Sequence, residues 1–314
     1  MKRCAIAVLL TLFAGVACNE IERPEEKMVP ISFSAAVSDG IATRATGMID
    51  DDDLRIRAGG FGVFGCYTGL HNYSESDANS SFMYNQKLEW VSGDAHWEYN
   101  PVKYWPGEEG HKVSFFAYAP YSECNGTGCI PSCVRYQETA DPWVMYRIAE
   151  DPAQQVDLLY ATPLLDQTKM AVNERLEFTF KHALACVGDN VTISTSATGV
   201  TLKEVSIDYT LTAKGRLVLW NRGSANWTPI QSEDVVTVRS VSLLTAGNEP
   251  LPKTFSGQGL FCIPAEAAGY PQKATIHVTY VVNNVEHTAT SELMLKGLLQ
   301  EGKTLDINIT LNVN

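Results

Sequence analysis

The chain has 314 residues, long enough for two cores of ordinary size, and its 45% hydrophobic and 19% charged residues belong to a folded globular protein rather than a disordered one. Its formal charge is −12, and removing Lys2 and Arg3 with an amino-terminal leader takes this to −14, which argues against nucleic acid as a partner. No P-loop, dinucleotide fingerprint, H-E-x-x-H or G-x-S-x-G motif occurs, so no enzyme activity, catalytic residue, cofactor or metal is expected.

The amino terminus reads as an export signal. Lys2 and Arg3 precede a 14-residue apolar run from Cys4 to Ala17, too short to span a bilayer and right for a secretory leader. Gly15-Val16-Ala17-Cys18 resembles a bacterial lipobox, with Gly15 where Leu is usual, and makes Cys18 the lipidation residue. Residues 1–17 are then the signal peptide and 18–28 a lipidated, acidic tether; cleavage without lipid is the alternative. Acyl chains contribute about 0.8 kcal/mol per buried methylene, enough in combination to hold a protein on a membrane without a spanning helix.

After the tether, Val29, Ile31, Phe33, Ala35 and Val37 alternate with Pro30, Ser32, Ser34 and Ala36, the period of a half-buried first strand. A loop containing Thr43-Arg44-Ala45 follows, and the four aspartates Asp50 to Asp53 read as a solvated continuation of it. Glycines in Phe61 to Tyr67 point to close approach by a neighbouring strand. The aromatic stretch from Trp97 to Tyr121, interrupted by Pro106-Gly107-Glu108-Glu109-Gly110, predicts a β-hairpin with a long loop. Its second strand has Val113, Phe115, Ala117 and Ala119 on one face and Phe116 and Tyr118 on the other, so both faces are expected to be covered.

Cys124, Cys129 and Cys133 form the one dense group of thiols. An oxidising compartment favours one disulfide among them, with Cys66, Cys186 or Cys262 pairing elsewhere; free thiols are the alternative, and zinc lacks a fourth ligand. His182, on an apolar stretch, reads as a packed histidine bonded to backbone rather than a base. From Leu176 to Val313 the chain is a series of short alternating strands with no helical stripe. The fold class is all-β, two sandwiches in tandem, with an amino-terminal domain of residues 29–182 and a carboxy-terminal domain of 183–314.

The lipobox, Thr43-Arg44-Ala45, Gly62-Val63-Phe64, Tyr104-Trp105-Pro106, Val113 to Tyr121, Asp157-Leu158-Leu159-Tyr160-Ala161 and Phe178 to Ala185, in this order, resemble the fimbrillin family, the type V pilins of anaerobic Gram-negative bacteria. The resemblance covers nearly the whole mature chain, more loosely in its second half. It implies transthyretin-like sandwiches, export as an outer-membrane lipoprotein and cleavage after an arginine, here between Arg44 and Ala45. It also implies assembly into a cell-surface fimbria by strand exchange with other subunits. Cleavage would release the strand carrying Ile31, Phe33, Ala35 and Val37. The carboxy-terminal strand Leu305 to Val313 reads as part of its own domain with little left to donate, so a strand-accepting tip subunit is expected, with an anchor that keeps its first strand as the rival. A host or bacterial surface receptor is a further expected partner. The other functional class is a lipid-anchored carbohydrate-binding sandwich, in which Trp90, Trp97, Trp105, Trp220 and Trp227 would be stacking platforms; burial of those indoles discriminates the two.

Overall fold

The computed structural model describes residues 28–38, 48–56, 58–77, 80–123, 130–132, 141–221, 224–229, 236–266 and 269–313. The protein is almost entirely β, as its alternating sequence requires. Among the described residues no helix is long and apolar enough to cross a membrane.

The aspartate run is not a loop. Asp51–Ile56 is a short α-helix with Asp51, Asp52 and Asp53 in its first turn, where carboxylates oppose the positive end of the helix dipole. The Asp50 side chain caps it by accepting the Asp53 N–H at 2.8 Å, and buried Leu54 pins it to the core.

The main sheet has eight strands. Seven follow the order Phe33–Val37, Leu176–His182, Leu159–Ala161, Lys112–Ala119, Phe61–Gly69, Met83–Val91 and His96–Glu98, and Leu164–Gln167 also pairs with Lys112–Ala119. Lys112–Ala119 sits near the middle, covered on both faces as its sequence predicts. Val113, Phe115 and Ala117 enter one core with Phe33, Phe61 and Phe178, while Phe116 and Tyr118 enter a second with Phe64, Val144 and Leu217. The predicted close approach at glycine is real: a Cβ on Gly62 would lie 2.5 Å from the Tyr118 ring.

The Trp97–Tyr121 stretch is not a hairpin. His96–Glu98 pairs with Met83–Val91, and Lys112–Ala119 pairs with Phe61–Gly69 and the strands from 159–167. A strand apolar on both faces belongs in the sheet interior, whereas the short His96–Glu98 strand ends the sheet. The intervening residues 103–105 take another partner, the segment ahead of the first strand: Ile31 N–H donates to the Lys103 carbonyl at 2.9 Å and Trp105 N–H to that of Val29 at 2.9 Å. The sheet thereby curls until residues 29–37 bridge its two ends.

A second sheet runs in the order Ser224–Pro229, Lys214–Asn221, Trp143–Arg147 and Ile130–Ser132. Its two halves come from opposite sides of the expected boundary at residues 182 and 183, and the core beneath it also mixes them, with Phe116, Tyr146 and Leu158 against Leu217, Trp227 and Ile263. Pairing thus crosses the expected boundary: strands 214–221 and 224–229 complete a layer over the amino-terminal half. The remaining carboxy-terminal strands build a third core. Ala185–Thr195 carries Lys253–Ser256, Leu260–Cys262 and, in parallel, Thr304–Leu311; facing it are Val236–Leu244, Thr201–Thr212, Lys273–Val282 and Val285–Met294.

Candidate functional site

The alternation of residues 29–37 becomes a seated strand. Ile31 and Phe33 are each 1% exposed, Val29 is buried, and Ala35 and Val37 are half-buried on the same face. Phe33 stacks on Phe178 with centroids 5.4 Å apart, meets Phe115 edge-on at 5.2 Å and lies 5.9 Å from Tyr99. Aromatic pairs at these separations add attraction beyond the area they bury.

Backbone pairing holds the strand from both sides. Phe33 to Val37 run parallel to Leu176 to Phe180 in one-to-one register, and the pairing continues as Leu176 N–H donates to Ser32 and Ser38 N–H to Phe180. Towards the amino end the partner changes to residues 103–105. The Tyr99 hydroxyl donates to the Ile31 carbonyl at 2.8 Å, and burial pushes this phenol up to about 12. At the other end Val37 N–H donates to Asp51 at 2.6 Å, so the aspartate run helps to lock the strand. Ile31, Phe33, Ala35 and Val37 thus form one continuous face closing the larger core.

Beyond the strand, Ile49 N–H reaches the carboxylate of Asp157 at 3.4 Å, and the same Asp157 oxygen lies 2.5 Å from His182 Nδ1. His182 is packed, as expected, but its partner is a carboxylate rather than backbone. Asp157 is fully buried and its other oxygen has no hydrogen-bond partner among the described residues. Burial raises the Asp157 carboxyl above its ordinary range, with His182 opposing the shift. A carboxyl raised on folding contributes stability below its unfolded value, and that contribution is lost as pH rises through the folded value. The Asp157 contribution is thus expected to fall between pH 4 and its raised pKa. Comparing urea midpoints of the parent and Asp157→Asn across that range should show the parent's pH slope reduced in the variant.

Several expected site residues lie outside the described residues: Cys18, Arg44, Ala45, Cys124, Cys129 and Cys133. Cys66, Cys186 and Cys262 are all buried, Cys186 and Cys262 form no disulfide among the described residues, and burial raises Cys186 to about 12. The tryptophans are not open platforms. Trp97, Trp105 and Trp227 are buried, Trp90 packs edge-on against Trp97 with Arg55 over its ring, and Trp220 packs against Tyr73. Sequence reasoning missed the roles of residues 103–105, Asp51 and Asp157, since their partners are distant in sequence.

Residues 43–314 match a family model described as fimbrillin-like. The chain is 27% identical over 138 residues to fimbrium subunit Fim1C of Phocaeicola vulgatus; the match takes in 41% of this chain and spans 36% of that protein's length. The fold is similar to the crystal structure of a fimbrial protein from Bacteroides vulgatus, with a TM-score of 0.62 at 18% identity, covering 91% of this chain and 96% of that one.

Proposed function

This chain belongs to the fimbrillin-like family, and on that premise we propose that it is a non-enzymatic, structural or adhesive subunit of a cell-surface fimbria, activated by loss of its first strand. In this reading it is exported as a lipoprotein carrying its lipid on Cys18 and held at the outer membrane. A protease cuts between Arg44 and Ala45, and a strand from another subunit takes the vacated place.

The observation that carries the proposal is the position of residues 29–37 as the piece that closes a curled sheet. Without them Leu176–His182 loses its parallel partner, residues 103–105 lose theirs, and the core around Phe115 and Phe178 is uncovered. Side chains such as Ile31 and Phe33 are worth about 1.5–3 kcal/mol each when fully buried, and the unpaired edges add to the drive to recruit a replacement. Strand addition supplies both the hydrogen bonds and the side chains.

Thr304–Leu311 is paired along its length with Ala185–Thr195, so donating it would dismantle the carboxy-terminal sheet. This favours a strand-accepting subunit at the tip. The seated first strand equally suits an anchor that retains it. Arg44→Ala is expected to abolish incorporation of a tip subunit into fimbriae, as read by immunoblot of sheared filaments. Incorporation at the parental level would overturn cleavage at this bond, and fimbria-bound protein still beginning at Cys18 would favour the anchor.

A further inference from the structure

The two layers of the carboxy-terminal core differ in width. Lys253–Ser256 and Leu260–Cys262 share one edge of Ala185–Thr195 and Thr304–Leu311 takes the other, so that layer is narrower than the facing one, which ends in Val285–Met294. Val285–Met294 therefore overhangs. Its residues His287, Ala289, Ser291 and Leu293 stand opposite Tyr280, Val278, Ile276 and Ala274, and directly opposed residues of an antiparallel pair share a face, here the buried one. Yet His287 and Ser291 are exposed, and Ala289 and Leu293 only half-buried. Beneath the overhang, along the outer edge of Thr304–Leu311, runs an open cleft of about 310 Å³ whose apolar lining includes Ile276, Val278, Ala289, Leu293, Ile309 and Leu311. We propose that this cleft receives an extended arm of another polypeptide, added as a further strand beside Thr304–Leu311 with alternate apolar side chains turned under Val285–Met294.

Main-chain chemistry selects a strand. The Cys186 N–H donates to the Lys303 carbonyl at 3.0 Å. In a parallel ladder alternate residues bond to the same neighbour, so the odd-numbered residues from Lys303 face Ala185–Thr195, and the N–H and C=O groups of Asp306, Asn308 and Thr310 point to the other edge. No strand among the described residues pairs with that edge. Thr304–Leu311 also carries neither the proline nor the lysine that commonly blunts a sheet edge. An added strand satisfies those groups, and its inward side chains cover apolar surface that the overhang leaves open to water.

The overhang also decides what kind of chain fits. A folded copy of this protein cannot pair through the same edge: in a two-fold pair, Val285–Met294 of each copy would claim the place of the other's Lys273–Val282. The occupant is thus a single extended segment with no second sheet layer beneath it, such as a chain terminus or a long loop. The site shares no residue with the strand at 29–37 and needs neither cleavage after Arg44 nor loss of that strand, so it is testable in the intact chain.

The test is an amide NMR titration of the full chain with soluble peptides that alternate threonine with alanine, valine, leucine or phenylalanine, beside peptides of the same compositions in which the alternation is broken. Saturable shifts and slowed amide exchange at Asp306, Asn308 and Thr310 are expected with at least one alternating peptide. Ala289→Trp fills the cleft, and Asn308→Pro removes an edge donor without touching the ladder to Ala185–Thr195; each should weaken binding about tenfold. Thr288→Trp puts the same bulk on the outer face of the same strand and should leave binding unchanged. Circular dichroism melting of each variant separates lost binding from lost folding. Absence of binding by every alternating peptide, equal binding by the broken patterns, or indifference to both cleft substitutions in folded variants would overturn the assignment. Shifts at Phe178 and Phe180 in place of those at Asn308 would put the peptide on the seat of residues 29–37 and would likewise overturn it, while leaving the proposed function intact.

Discussion

Phe33→Ala should lower the unfolding free energy by about 3–5 kcal/mol, the usual cost of emptying a buried phenylalanine site. The ring is packed among Phe115, Phe178 and Tyr99, so its removal leaves a void bounded by three large aromatic groups that relax only in part. Urea midpoints read the loss directly; a cost below about 1 kcal/mol would show that the strand is held chiefly by its backbone. The same contacts give the experiment a form relevant to assembly. A protein beginning at Ala45 should be strongly destabilised, and a synthetic peptide of residues 28–38 should restore its stability in proportion to peptide concentration. The peptide bearing Phe33→Ala should restore much less. Equal rescue by both peptides would contradict the assignment of Phe33 as the principal side chain filling the groove.

Trp227→Ala is expected to cost a similar ~3–5 kcal/mol, and its effect should reach both halves of the chain. Trp227 is buried in the core shared across the 182/183 boundary, and its indole N–H donates to the Ala183 carbonyl at 2.8 Å. Truncation removes the indole from the packing and leaves that carbonyl short of a partner. A fragment of residues 28–182 should therefore fail to reach a cooperative native state, because the layer over Phe116 and Tyr118 lacks its strands from 214–229. A sharp unfolding transition and dispersed amide resonances from that fragment would show the amino-terminal half to be self-sufficient.

What the sequence disclosed follows from what side-chain periodicity encodes. The alternation from Val29 to Val37 specifies a strand with one buried face, and the doubly apolar run from Val113 to Ala119 specifies an interior strand; both are found. Periodicity carries no information about partners, so Trp97 to Tyr121 looked like a hairpin although its two strands pair elsewhere. Nothing in Lys214 to Pro229 marks it as a cover for strands some 70 residues earlier, as its pairing with Trp143–Arg147 makes it. Asp50 to Asp53 looked fit only for solvent because their charge was weighed without the helix end that accommodates it. His182 disclosed its burial but not its partner, which lies 25 residues upstream. The closing strand itself was legible; the two edges that receive it, residues 103–105 and Leu176–His182, emerge only when the sheet curls.

The crossing of residues 214–229 onto Trp143–Arg147 also sets a clock on biogenesis. As the polypeptide is made from its amino terminus, the aromatic strands through Ala119 emerge long before the segment that covers their second face is complete at Pro229. At translation rates of roughly 5–20 residues per second, that interval lasts on the order of 5–20 s. Throughout it Phe116 and Tyr118 lack their final cover, an arrangement that invites premature association between nascent chains. A chain free to fold before residue 229 has been made is therefore expected to expose Phe116 and Tyr118, and early folding should favour aggregates over a shorter folded domain.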